Sequence, residues 1–430
     1  MNYYCHYTSA LLKNVFNFFV IFLLFSCSNF ENEKFQSRVY KHEAKPWTYI
    51  IYMAADNNLE RFAIQNLYEL KQNLSDKNIN FIVLFDRAVG YDKTNGNWTG
   101  TKIFELSNSS NLEDDCILDL GELDMTDFYN LEKFLDFCQK YYPSENIVLN
   151  IWSHSFGVYP DSSIPSINRS LVFDYETGYS INNGMKVYEF SYVLRNFMKK
   201  YSRKINILQF DCCFMQMFEI INEIKDCTEY VIGSQCELPA EGSCYETICS
   251  TLSNTEIIKE SLSKLVTNFK NKYKNLLTDN SYCVVDVEKF DSLYNKFLLV
   301  IEEILKKDNS IFEDIKKIRK NLFSYSKTFI EYVDFYTFFE NLECLFFESD
   351  KNISIMINEL LELYDDCILN KFISNSYINQ LYGIGINIPY NEELLNFYTS
   401  NSDDILSIYK TSQFANFINR IVKWKKLYFT

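Results

Sequence analysis

Histidine is scarce in this chain, with three copies among 430 residues. A metal centre built on imidazole therefore has little to draw on, and no pair of cysteines has zinc-finger spacing. Basic residues are also in short supply, 42 Lys and Arg against 57 Asp and Glu. The resulting formal charge of −15 repels phosphate and excludes nucleic acid as the expected partner; a basic ligand or substrate is the better electrostatic match. Glycine (11) and proline (6) are few, and neither an internal repeat nor a long low-complexity segment interrupts the chain. No acid-rich loop of the EF-hand kind is present, so no cofactor and no metal are expected.

What the chain does have is apolar material: 47% hydrophobic residues, 17% aromatic, enough for a sizeable core. The only strongly apolar run near the start, Val15 to Phe25, is too short to span a bilayer and follows Lys13, as in a signal peptide. It ends in Leu24-Phe25-Ser26-Cys27, which resembles the lipobox of exported bacterial lipoproteins, so Cys27 is expected to be acylated and to anchor the chain to the cell envelope. Residues 1–27 thus read as signal and 28–44 as a polar tether. Thirteen cysteines are scattered rather than regularly spaced. Setting aside Cys5 and Cys27 leaves an odd number, so at least one thiol is free; Cys138, Cys227, Cys283, Cys344 and Cys367 read as small core residues.

From residue 47 the pattern alternates. Trp47 to Met53 reads as a strand, Asn57 to Leu74 as a helix and Asn80 to Phe85 as a strand. Strands are further expected over 102–106, 146–152, 205–210 and 230–234, with helices over 126–142, 187–201 and 215–225 and Thr126 as a cap. Such alternation predicts a mostly parallel sheet covered on both faces. Beyond about residue 255 the chain turns mainly helical, broken by short stretches at 282–287 and 382–390. The expected organisation is a catalytic domain over 45–254 and a mainly helical region over 255–430 that contributes a strand near 382–390.

In open α/β sheets reactive groups collect beyond the carboxyl ends of the strands. Two strand ends stand out, Trp152-Ser153-His154-Ser155 and Phe210-Asp211-Cys212-Cys213. With His6 in the signal and His42 in the tether, His154 is the candidate base. A thiol near its ordinary pKa of ~8.5 is mostly protonated at neutral pH and needs such a base to become a nucleophile.

The segments WTYIIYMAADNNLE, IWSHSFG, ILQFDCCFMQMFE, YVIGSQCELPAEGSCYE, YVDFYTF and YGIGINIPY, in this order, resemble the blocks of the clostripain-type peptidases, relatives of caspases, gingipains and legumains. Caspases place their histidine about 50 residues before the cysteine, comparable to the spacing of His154 and Cys213. The resemblance implies a caspase-like α/β/α sandwich with a mostly parallel central sheet. It also implies a cysteine endopeptidase that cuts after Arg or Lys, and it admits a calcium dependence. The family's Asp-Ala-Cys-Leu-Met block falls on Asp211 to Met215, which makes Cys213 the nucleophile and Cys212 the small packed neighbour. Asp211 is then the acid of the specificity pocket, able to hold a guanidinium through two hydrogen bonds. The amides of Cys213 and Ser155 are the implied oxyanion donors. Ser155 departs from the glycine that relatives carry after the histidine, and it is strained if that position needs positive φ. That departure sustains the alternative of an impaired lipoprotein of the same fold serving as a surface binding module. Relatives are often switched on by self-cleavage; Arg169, in PDSSIPSINRSL, is the basic residue expected to be cut.

Overall fold

The computed structural model describes residues 40–75, 78–158, 170–174, 184–253, 258–275, 280–326, 330–392, 395 and 406–423. Cys27 and Arg169 lie outside the described residues.

The strands, in chain order, are β1 (Lys45–Ala55), β2 (Ile79–Arg87), β3 (Gly100–Glu105), β4 (Cys116–Gly121), β5 (Ser144–Trp152), β6 (Ser170–Leu171) and β7 (Met185–Lys186). They continue with β8 (Ile205–Asp211), β9 (Thr228–Gly233), β10 (Ser281–Asp286), β11 (Tyr332–Asp334), β12 (Ile368–Ile373) and β13 (Gly385–Asn387). Nine of them form one sheet in the order β12-β10-β9-β8-β5-β1-β2-β3-β4. The five central strands, β9 to β2 in that order, run parallel, and antiparallel pairs extend the sheet at both edges.

β1 shows why this is a covered sheet. Its nine residues from Trp47 to Ala55 are all buried. Trp47, Tyr49, Ile51 and Met53 enter one core, while Ile50, Tyr52 and Ala54 enter the other. A period-2 strand that is apolar at both parities can only sit between two layers. The helices Glu60–Gln72, Tyr245–Ser253 and Ile258–Tyr273 pack on the first side, and Phe128–Tyr141, Val187–Tyr201, Phe218–Ile224 and Val287–Leu305 on the second.

The helix expected to start at Thr126 begins at Phe128, capped by Asp127, whose Oδ1 accepts from the Tyr129 N–H at 3.0 Å. Thr126 instead bonds Asp124. The C-terminal half contributes β10 and β12 to the main sheet, whereas β13, within 382–390, pairs with β11 in a separate two-stranded sheet. Residues 40–44 are described, with His42 stacked between Tyr40 and Tyr142. The eleven described cysteines are thiols rather than disulfides. Cys344, expected in the core, is exposed on the helix Phe335–Phe346.

Candidate active site

The chain runs from the central β1 outward to β2 on one side and, through β5, to β8 and β9 on the other, so the order of strand addition reverses at the β1/β5 boundary while the strands stay parallel. The carboxyl ends of β1, β5 and β8 lie together at this switch point, where loops diverge and leave a crevice. They deliver Asn58, His154 and the pair Asp211 and Cys213. A cleft of about 90 Å³ is lined by Trp152, His154, Asp211, Cys213, Leu238 and Gly242, among others.

His154 is partly buried, and its Nε2 donates to Asn58 Oδ1 at 2.7 Å. That bond fixes the proton on Nε2 and leaves the Nδ1 lone pair to accept one. Burial lowers the pKa of His154, so the ring is neutral at physiological pH. Nothing in the sequence sets Asn58 apart from its neighbours Asp56 and Asn57. Asn57 does hold the local turn, with its Oδ1 accepting from Leu59 N–H and its Nδ2 donating to the carbonyl oxygens of Ala54 and Phe173.

Cys213 is partly exposed, while Cys212 is 2% exposed and lies in the same core cluster as Phe210 and Phe214. The Cys213 sulfur accepts from the Leu238 N–H at 3.3 Å. Burial raises its pKa to about 11, partly offset by the Leu238 bond and reinforced by Glu237 and Asp211. Thiol and imidazole are thus both neutral at rest. No hydrogen bond joins Cys213 to His154 among the described residues; such contacts commonly tighten only when substrate is bound.

Asp211 is buried and lines the same cleft as Cys213. Its Oδ2 accepts from Tyr245 Oη at 2.6 Å and Ser243 N–H at 3.2 Å. Burial raises its pKa, and the Tyr245 and Ser243 bonds oppose that rise. Gly242, at φ +61°, faces the carboxylate so closely that a Cβ there would stand 2.8 and 2.9 Å from the two oxygens. Glycine at 242 therefore keeps the acid open to the cleft.

The backbone tension expected at Ser155 falls elsewhere. Ser155 is not among the residues at positive φ, and its hydroxyl contacts Met215 Sδ at 2.9 Å and accepts from Gly157 N–H at 3.2 Å. Two left-handed positions, Gly157 (φ +67°) and Phe214 (φ +59°), meet here: a Cβ on Gly157 would lie 2.8 Å from the Phe214 carbonyl oxygen. Gly157 thus lets the histidine loop and the cysteine turn close on each other. A left-handed phenylalanine directly after Cys213 costs of order 1 kcal/mol, and its amide is held by Cys236 O at 3.0 Å.

The C-terminal motifs brace the loop above the sulfur. Gln235 donates to Asp334 Oδ2 at 3.1 Å and accepts from Gly383 N–H at 2.6 Å. Gly385 N–H donates to Gln216 O at 2.9 Å. YVDFYTF and YGIGINIPY therefore act on the cleft through residues 216 and 235 rather than by entering it.

The family model of the clostripain family matches residues 51–424. This chain belongs to the clostripain family. Clostripain of Hathewaya histolytica is 26% identical over 208 residues, 45% of this chain and 39% of that protein, so the match spans about two-fifths of the relative's length. Two solved structures share the fold of this clostripain-family chain. An inactive zymogen C11 protease from Parabacteroides distasonis has a TM-score of 0.62 at 20% identity, covering 83% of this chain and 95% of that one. A secreted C11 cysteine protease from Bacteroides thetaiotaomicron, in complex with an irreversible peptide inhibitor, has a TM-score of 0.61 at 18% identity, covering 84% and 97%. The fold of this family member is accordingly the caspase-like α/β/α sandwich.

Proposed function

We propose that this clostripain-family chain is a cysteine endopeptidase that cuts peptide bonds after Arg or Lys, with Cys213 as nucleophile and His154 as base. The observation that carries the reading is the convergence of three strand ends on one cleft that holds a thiol, an oriented imidazole and a buried carboxylate. The thiol proton passes to His154 Nδ1 as sulfur attacks the carbonyl carbon. The tetrahedral oxyanion collapses to a thioester as His154 gives the proton to the leaving amine, and water then releases the acid. The backbone amides of Cys213 and Ser155 are the oxyanion donors in this scheme, one such donor being worth roughly 3 kcal/mol. Asp211 receives the substrate's basic side chain. The unstrained backbone at Ser155 favours catalysis over a binding-only role.

Residues 45–254 carry the chemistry in this reading and 255–430 support it. The secreted C11 protease from Bacteroides thetaiotaomicron agrees with export of this chain as well. No helix among the described residues is long and apolar enough to cross a membrane; acylated Cys27, after the signal 1–27 and with 28–44 as tether, would supply the envelope anchor. Self-cleavage after Arg169 would mature the enzyme.

Profiling the purified chain on a peptide library tests the proposal. Cleavage confined to bonds after Arg or Lys is the expected result. Cleavage after acidic or apolar residues would remove the assigned pocket, and no cleavage of any sequence would remove the activity.

A further inference from the structure

The two oxygens of Asp211 are not equivalent. Oδ2 accepts from the Tyr245 hydroxyl at 2.6 Å and from the Ser243 N–H at 3.2 Å, whereas Oδ1 accepts from no group among the described residues. A carboxylate oxygen has about two lone-pair positions, so Oδ2 is filled and Oδ1 is left for a ligand. Both donors are held from behind. Tyr245 is 0% exposed, and its Oη accepts from Asn150 Nδ2 at 2.8 Å, which directs the phenolic proton to Asp211. Ser243 is fixed by its own hydroxyl, which accepts from Gln209 Nε2 at 2.9 Å and pairs with Tyr282 Oη at 3.0 Å. Turning either arm away from Oδ2 would strand a buried polar group.

The loop beside the acid has its carbonyl oxygens engaged as well. Pro239 O accepts from Gly242 N–H at 2.9 Å, Glu241 O from Asn66 Nδ2 at 2.9 Å, Gly242 O from Tyr273 Oη at 2.6 Å and Ser243 O from Lys272 Nζ at 3.0 Å. Trp152, Leu238 and Ala240 add apolar wall. An ammonium is a compact point charge with three rotatable donors. A guanidinium carries five in a rigid planar fork, and its advantage over an ammonium comes from two parallel bonds to two oxygens. Here the fork meets a single open carboxylate oxygen. Its second prong enters the cleft without a partner, and an unpaired donor in a desolvated site is costly.

Resting on the peptidase reading above, we propose that Tyr245 makes this pocket select lysine over arginine before the scissile bond, by occupying the Asp211 oxygen that the second prong of a guanidinium requires. Tyr245 is a positioning residue in this scheme: it acts through Asp211 and touches no substrate. Its hydroxyl leaves one oxygen, Oδ1, for the charged end of the substrate side chain, which matches an ammonium better than a fork.

Two peptides that differ only in Lys or Arg before the scissile bond test this on the full wild-type chain. The expected kcat/KM favours the lysyl peptide by ~10-fold, the worth of one charge-assisted hydrogen bond. Tyr245→Phe opens a lone pair on Oδ2 and should bring the two rates to within ~2-fold of each other. Both peptides meet the same enzyme, so any change in Asp211 protonation cancels from the ratio, and a merely structural role for Tyr245 would lower both rates alike. Inhibition of the wild type by n-pentylamine and by n-butylguanidine reads the pocket without a substitution, and the amine should bind ~10-fold more tightly. An arginyl peptide cut as fast as the lysyl one, or butylguanidine bound as tightly as pentylamine, would overturn the proposal and leave the peptidase reading standing. An unchanged ratio in folded Tyr245→Phe would take the selectivity away from Tyr245. Cleavage of neither peptide by the wild type would remove the peptidase reading and the proposal with it.

Discussion

Cys213→Ala is expected to abolish turnover, and Cys212→Ala to leave most of it. The two thiols are chain neighbours, and the fold separates them completely. Cys213 opens onto the cleft beside His154, while Cys212 is 2% exposed within the core. Burial drives the Cys212 thiol well above its ordinary range, so it supplies no thiolate at working pH. Removing its sulfur shrinks a packed side chain and costs about 1 kcal/mol or slightly more of stability. Losing Cys213 removes the atom that forms the thioester, and the barrier lost with a covalent route corresponds to several orders of magnitude in rate. His154→Ala should be equally inactive, because a thiol with a pKa near 11 is almost entirely protonated at pH 7 and needs a proton acceptor. Steady-state kinetics on a basic peptide decides the matter. An active Cys213→Ala beside a dead Cys212→Ala would reverse the register, and an active His154→Ala would remove the base.

Asp211→Asn is expected to lower kcat/KM on Arg and Lys substrates by at least ~10-fold with no loss of fold. Asparagine keeps the shape and one oxygen to accept from Tyr245 and Ser243, so the β8 end and the loop after Pro239 remain pinned. What disappears is the negative charge. A desolvated charge-assisted pair is worth more than ~1.4 kcal/mol, the equivalent of one decade. Burial raises the pKa of Asp211 from the usual carboxylate value. Its pairing with a basic side chain is therefore present once pH exceeds the folded pKa and fades as pH falls through it. Unchanged kinetics in Asp211→Asn, with unchanged Tm, would take Asp211 out of the specificity pocket.

The parallel centre of the sheet was legible because buried strands such as β1 and β5 are continuous apolar runs that local sequence marks well. The helix over 187–201 was legible from its apolar spacing and has the expected bounds. The edges were not. β4 is short, with exposed Asp119 and Gly121, and β12, ILNKFI, follows directly on the helix Lys351–Cys367 as if continuing it. The helix Phe335–Phe346 is so rich in aromatic residues that propensity alone argues against it, and packing overrides propensity. Its buried positions, Phe335, Phe338, Phe339, Leu342 and Phe346, leave Cys344 on the outer side, which explains its exposure.

At the site, the groups with chemistry of their own could be picked out by residue type, and those that act through backbone or position could not. Gly157 is needed for its contact with Phe214 O, Leu238 for its N–H, and Asn58 for its reach across to β5.

Identifying the atom that attacks the substrate carbonyl tests the account most directly. The full chain, treated with an arginyl chloromethyl ketone and digested for peptide mass mapping, should carry one adduct on Cys213, absent from Cys213→Ala and suppressed by competing arginyl peptide. An adduct on Cys212, or a wild-type chain left unmodified under conditions that label other arginine-directed cysteine peptidases, would contradict it.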